Sequence, residues 1–336
     1  MAPTISRKTQ LGRESTAGTM VAASSVWRGN ATWEDMRAHV DVDEQIGIDG
    51  GAGREFDTTL GARINFEDTP LSTNHVVHIL SAGIKEVSAV GANPYTYTYP
   101  FPTTAAQTIK TYSIEVGNSY QESEAEYCFV ESFNIKGASG GSTAEPVTMG
   151  ATWMGRQWTD STYTGALAVT TPYDLMFAKS KAYLGAVGTA FGSLTQITSG
   201  FLGFDLKVTT GFKPRFYGEG ALYFTAAQWL GMGLDGILCD VQMEYNATSA
   251  AEIANWRSKT PRKFQVKCEG ASLGGTVGAY TLFTVDIQLV GSWVKFTGLE
   301  NVDEGDTVTG TFRCHYDATA AERGNIIVAT TLASIP

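Results

Sequence analysis

Alternation of apolar and polar residues with a period of two is the feature that most constrains this chain. It is clearest where Phe204, Leu206 and Val208 are separated by polar residues. Because successive side chains of a strand point to opposite faces, the pattern predicts strands with one buried face. The same alternation recurs in both halves of the sequence, at Ile64/Phe66, Tyr112/Ile114/Val116, Tyr127/Phe129, Phe133/Ile135, Phe283/Val285/Ile287/Leu289 and Phe312/Cys314/Tyr316. With 37 glycines and only 10 prolines to form the turns, the predicted fold class is mainly β.

Two segments depart from the alternation and predict short helices. In the first, Asp68 or Thr69 is suited to cap the helix and Pro70 to its first position. Gly83 suits the position just after its end.

The second predicted helix carries a different set of signals. Ser249 and Glu252 have the spacing of a capping box, and Pro261 ends the segment. Ile253 and Trp256 are expected on its inward face.

The order strand–helix–strand–strand–strand occurs twice, roughly 180 residues apart, which predicts two tandem copies of one β domain. The predicted division is a first domain at 1–170, a linker at 171–200 rich in Gly, Ser, Thr and Ala, and a second domain at 201–336. Residues 86–107 have no counterpart in the second half and predict an insertion loop, either a contact arm or a solvent loop.

No catalytic, cofactor or metal site is predicted, and the chain is not expected to be an enzyme. The four cysteines are far apart, which predicts free thiols packed in strands. The GxSxG strings at 137–141 and 270–274 lead into Gly, Ser and Thr rather than a helix, so we interpret them as hairpin turns. His75 and His78 are expected on the flank of the first helix, and Asp41, Asp43 and Glu44 match only a fragment of a calcium loop.

The charge of the chain argues against tight binding of nucleic acid. The formal net charge is −10, whereas proteins that hold nucleic acid neutralise phosphates with basic residues. The sequence predicts no signal peptide and no membrane segment, so synthesis in a cytoplasm and no membrane partner are expected.

The segment Gln10–Thr19, which reads QLGRESTAGT, resembles the start of the major tail tube proteins of siphophages, the long-tailed bacteriophages. The order of elements along the chain is similar to that family as well. The resemblance implies a tail-tube β-sandwich or half-barrel with flanking short α-helices, located in the virion tail. Its subunits would form rings that stack into a conduit for viral DNA. It further implies a tape measure protein and tail terminator or distal tail proteins as partners.

With tandem domains, the ring is expected to be a trimer with pseudo-sixfold symmetry, and a hexamer is the alternative. An acidic lumen would repel DNA and let it slide. The candidate lining residues are Asp41, Asp43, Glu44, Asp49, Glu122, Glu124 and Glu126. Alternative functions are a secreted-type carbohydrate-binding β-sandwich or another phage structural protein, such as a head–tail connector or a decoration protein.

Overall fold

The computed structural model describes residues 7–42, 47, 53–105, 107–118, 120–139, 145–302 and 305–336. Its strands are β1 (Lys8–Arg13), β2 (Ser25–Val26), β3 (Ala31–Asp35), β4 (Ala38–Val42), β5 (Arg54–Thr59), β6 (Ala62–Pro70), β7 (Val90–Gly91), β8 (Tyr95–Pro100), β9 (Tyr112–Gly117), β10 (Glu122–Ala138), β11 (Thr148–Gly155), β12 (Trp158–Asp160), β13 (Lys181–Ala186), β14 (Thr195–Gln196), β15 (Phe201–Thr209), β16 (Phe212–Arg215), β17 (Ala226–Trp229), β18 (Ile237–Glu244), β19 (Arg262–Val277), β20 (Tyr280–Phe296), β21 (Glu300–Val302), β22 (Gly305–Cys314) and β23 (Gly324–Thr330). The helices are α1 (Thr73–Gly83) and α2 (Ala247–Arg257). The prediction of a mainly β fold is confirmed.

One order of strand pairing occurs twice. In the first half the antiparallel order is β2-β1-β9-β10-β11-β6-β3, and α1 follows β6. In the second half it is β14-β13-β19-β20-β22-β18-β15, and α2 follows β18. These two sets of strands are called the first unit and the second unit below.

The two units share one sheet and one core. Strand β15 of the second unit pairs with β10 of the first along Ser132↔Thr209 to Ala138↔Gly203. A single large cluster of buried apolar residues includes Ile64 and Trp153 from the first unit as well as Phe264 and Phe312 from the second. The hydrophobic core is therefore continuous across the units.

The segment 86–107 has no counterpart in the second unit, where β19 follows α2 directly, but it is not simply a loop. It contains β7 and β8, and β8 pairs with the C-terminal strand β23, which lies beside β20 of the second unit. Tyr97 and Tyr99 of β8 are fully buried. Because β23 provides a strand edge for this tyrosine-rich segment, it packs as sheet rather than projecting into solvent.

The segment 171–200 also contains more structure than a linker. It includes β13 and β14, and β13 pairs with β19 over Lys181↔Lys267 to Ala186↔Arg262. The second unit thus begins near residue 181, about twenty residues before the predicted boundary.

Helix α1 begins later than its sequence signals predict. Its N-cap is Ser72, while Pro70 is the last residue of β6 and pairs with Thr148 of β11. The pairing with β11 extends the strand through the predicted caps Asp68 and Thr69, so these residues cannot start the helix. Every residue of α1 is buried, including Gly83, which is its last residue.

The capping box of α2 also differs from the predicted one. Asn246 is the N-cap, and its side chain accepts from the backbone N–H groups of Thr248 and Ser249. The Ser249 side chain accepts from the Asn246 backbone N–H and completes the box. Glu252 is buried instead, as described below, whereas Ile253 and Trp256 are half-buried, consistent with the predicted inward face.

All four cysteines are free and buried in strands, which confirms that prediction: Cys128, Cys239, Cys268 and Cys314. Among the described residues, no helix is both long and apolar enough to cross a membrane.

Candidate functional surface

A continuous run of strands through both units has one apolar and one polar face. The run is β3-β6-β11-β10-β15-β18-β22-β20. Its apolar face points into the core. Its other face, called the polar face below, carries Thr32, Glu34, Arg63, Asn65, Ser132, Asn134, Lys136, Thr152, Asp205, Lys207, Asp240, Gln242, Thr309 and Thr311.

Neutral hydrogen-bonding side chains dominate the polar face, and its lysines Lys136 and Lys207 are paired with carboxylates. Lys207 Nζ lies 3.0 Å from an Asp205 carboxylate oxygen and 3.1 Å from one of Asp240. Lys136 forms an ion pair with Asp68, whose carboxylate also accepts from Asn134 Nδ2 at 2.9 Å. These hydrogen bonds and ion pairs occupy the ammonium groups of both lysines.

Two depressions lie side by side on the polar face. Their linings include Lys136, Asp205, Asp240, Gln242 and Thr309 in one, and Asn65, Ser132, Asn134, Thr152, Lys207 and Thr209 in the other. The opposite face of the sheet is covered, since α1 packs against β10 and β23, and α2 packs against β20. Of the two faces, the polar one is therefore the one open to a large ligand.

The predicted carboxylates Glu122, Glu124 and Glu126 lie on the first half of β10, outside the polar face. That half of β10 pairs with β9 and β12. Glu122 accepts from the Tyr163 backbone N–H at 2.7 Å, and Glu126 lies 3.4 Å from Arg156. These two are thus engaged with neighbouring groups.

Glu124 is half-buried among other carboxylates. Burial raises its pKa, and the nearby carboxylates of Glu115 and Glu126 raise it further, against a hydrogen bond from Ser161 that lowers it. Glu115 itself is buried and accepts from Gln10 and Thr164. The carboxylates of Glu115 and Glu124 therefore belong to a hydrogen-bond network beneath the segment 161–164.

The other predicted lining residues lie near or beyond the β4–β5 hairpin. Asp41 is an exposed residue of β4, whereas Asp43, Glu44 and Asp49 lie outside the described residues. Asp41, His39 and Glu55 form the one group of three potential metal ligands found in the described part of the chain, with ligand atoms within 4.8 Å of one another. All three side chains are exposed and solvated, and the lining role of these acidic residues stays a prediction.

The opening motif has a structural role that its sequence does not reveal. Glu14 is 1% exposed, and its carboxylate accepts from the backbone N–H groups of Gly18 at 2.7 Å and Tyr127 at 2.8 Å. It also accepts from the hydroxyls of Thr111 and Ser113. Glu14 thus fastens the motif to β9 and β10, and a buried charge so fully hydrogen-bonded is a structural anchor.

His75 and His78 are buried in α1 rather than placed on its flank. Burial lowers the pKa of His75 to about 4, and the nearby charge of Arg28 contributes. Burial lowers the pKa of His78 to about 3, with contributions from His75 and Arg13. His78 Nδ1 lies 3.2 Å from the Tyr112 hydroxyl. Both rings are therefore neutral parts of the core at physiological pH.

The GxSxG string at 270–274 does not have the strand–turn–helix arrangement of a catalytic serine. The string at 270–274 is not the predicted hairpin turn, because it lies within β19, where Ser272 pairs with Leu282 of β20. Ser272 Oγ accepts from the Gly274 backbone N–H at 3.2 Å. In the other string, Gly137 and Ala138 end β10 and residues 140 and 141 lie outside the described residues.

Comparison of the sequence with family models and curated proteins identifies no relative. No protein-family model matches the chain, and no curated protein matches it significantly.

Proposed function

We propose that this chain is a structural virion protein, the tail tube subunit of a long-tailed bacteriophage, and that it forms stacked rings through which viral DNA passes. The observation that carries the proposal is the repeated order of strand pairing in two units, joined edge to edge by β10 and β15. A contact between two different strand edges can be repeated from one unit to the next. It forms a ring when the rotations between successive units add up to a full turn. Closure would also remove exposed strand edges, which otherwise favour aggregation.

Three chains would supply six units to such a ring, giving a trimer with pseudo-sixfold symmetry. A hexamer of chains is the alternative arrangement. Stacking of rings would use a different, heterologous contact that continues indefinitely. The tape measure protein and the tail terminator or distal tail proteins are the proposed partners at the interior and the ends of the tube.

The polar face is the surface that suits the wall of the bore. The opposite face of the sheet is occupied by the core and helices, so of the two faces of this sheet the polar face is the one that DNA can reach. Affinity for DNA comes chiefly from cations that neutralise phosphates. Lys136 and Lys207 already form ion pairs with Asp68, Asp205 and Asp240, which compete with DNA phosphates for these lysines. We therefore propose that DNA slides along this face without tight binding.

Negative-stain electron microscopy of the purified protein at rising concentration tests the proposal. Rings or hollow tubes of uniform width are the expected result. A protein that stays monomeric up to its solubility limit counts against a tube subunit, and in that case glycan-array binding would examine the carbohydrate-binding alternative.

A further inference from the structure

Two contacts form the edge-to-edge part of the joint between the two units within the chain. The first is the pairing of β10 with β15. The second is the hairpin β16–β17, an arm that follows β15 and packs against the first unit. Phe224, in the loop of this arm, lies 5.8 Å from the Phe129 ring, and its carbonyl accepts from Arg156 Nε at 3.1 Å.

Strand registers identify the equivalent positions of the two units. Strands β3 and β15 are equivalent because each pairs with the strand that precedes a helix, Ala31 with Phe66 and Phe204 with Val241. Strands β10 and β20 each carry a bulge opposite the next strand of their unit. The skipped residue is Glu131 in β10, between Val130 and Ser132, and Val294 in β20, between Trp293 and Lys295. The bulges therefore align Glu131 with Val294.

The edges equivalent to this joint are one edge of β3 in the first unit and one edge at the end of β20 in the second, and neither has a partner among the described strands. Strand β3 pairs with β6, and no described strand pairs with its second edge. Along the edge of β20 that β19 covers, pairing stops at Gly291, and no described strand continues it. The equivalent part of β10 is the part that β15 covers.

The equivalent arm of the first unit is likewise uncovered. The hairpin β4–β5 stands between β3 and β6, just as β16–β17 stands between β15 and β18. Phe212 and Phe224 of the second arm are 6% and 1% exposed, whereas Val40 and Phe56 of the first arm are 45% and 54% exposed. Val40 and Phe56 are cross-strand partners, so their exposed side chains form one contiguous apolar surface, which suits contact with another protein surface.

We infer that β3 of one chain pairs antiparallel with residues 295–300 of the next chain, and that the β4–β5 arm packs on the second unit of that chain. This inference rests on the proposed ring and names its interface. Transfer of the β10–β15 register places Asp35 opposite Phe296, Glu34 opposite Thr297, and Trp33 opposite Gly298.

The charges of the two edges are complementary in this register. Glu34 lies diagonally across from Lys295, on the same face of the paired strands. Diagonal partners are about 7–8 Å apart, a distance that long side chains bridge. The arm would approach Arg313, the equivalent of Met154, against which the second arm packs, and the guanidinium of Arg313 lies 2.7 Å from Asp235 of its own chain. One acidic and one basic side chain, Glu34 and Lys295, thus face each other across the strand pair.

Disulfide cross-linking tests the register. In the double variant Glu34→Cys/Thr297→Cys, the two thiols lie on directly opposed residues of neighbouring chains, about 4.5–5.5 Å apart at Cα, which suits a disulfide. The native cysteines are all buried and do not compete. The matched control is Glu34→Cys/Thr195→Cys, since Thr195 is an exposed residue of β14, which β13 and β19 separate from β20. Both proteins are treated with a mild oxidant at rising concentration and separated by non-reducing electrophoresis.

We expect a ladder of cross-linked chains that ends at three for the test variant and is absent for the control. A ladder that ends at six would keep the register and assign the hexameric ring. If microscopy shows rings of the test variant but no ladder forms, the register is wrong while the tube proposal stands. If neither rings nor a ladder appear, both are rejected.

Discussion

Acid is expected to destabilise the fold between pH 6.5 and 4 because two histidines are buried as neutral rings. His75 and His78 have pKa values lowered from 6.5 to about 4 and about 3. The unfolded chain therefore binds protons at a higher pH than the folded chain does. The stabilisation from the neutral rings is complete above the unfolded pKa and is lost as the pH falls from 6.5 toward the folded values.

The magnitude follows from the two shifts. One pKa unit corresponds to about 1.4 kcal/mol, so lowering the pH from 7 to 5 should cost about 2 kcal/mol for each histidine and about 4 kcal/mol for both. That is a large part of the free energy of unfolding of a typical domain, which is about 5–15 kcal/mol. Asp286 has a raised pKa from burial, which acts in the opposite direction.

Urea denaturation followed by tryptophan fluorescence at pH 7 and pH 5 measures the effect. In His78→Gln the loss between these pH values should fall by about half, to about 2 kcal/mol, since one titrating ring is removed. Asp286 is common to both proteins and cancels in the comparison. His39→Gln, which replaces an exposed histidine, is the control. Equal losses in wild type and His78→Gln would refute the reasoning.

Three further predictions concern buried groups. Glu252 is 3% exposed and accepts from Arg262 at 2.6 Å and Trp293 Nε1 at 2.8 Å, so Glu252→Ala should lower the free energy of unfolding by about 3–5 kcal/mol in urea melts. Phe224→Ala should cost about 3–5 kcal/mol and expose the arm to limited proteolysis, whereas Phe216→Ala, at a 47% exposed site, should cost far less. Burial raises the pKa of all four cysteines, so a thiol reagent should label none of them in the native protein and four in denaturant; fast labelling of the native protein would contradict their burial.

Local patterns predict the strands of this protein well but not their long-range partners. The alternation around Phe204 and Phe283 is realised in β15 and β20 because one face of each strand meets the core. The pairing of Tyr97 with Val328 is invisible to such patterns, since no local signal links residues so far apart in sequence. Likewise Pro70 has the signal of a helix start, but its strand partner Thr148 decides the outcome.

The candidate surface was harder to predict than the fold. Excess negative charge at 122–126 is visible in the sequence, but the covering segment that satisfies Glu122 comes from residues 161–164. The polar face joins strands from both units through the β10–β15 pairing. Its residues, such as Asn134 and Lys207, alternate with apolar ones, and that alternation was the available signal.

A cryo-electron microscopy reconstruction of the assembled protein tests the central claim most directly. The account predicts closed rings of six units around a bore, with Asn134, Lys207 and Asp240 facing the bore and β3 paired with the edge after Gly291 of the next chain. Rings that carry these three residues on their outer wall, or assemblies without a bore, would contradict it.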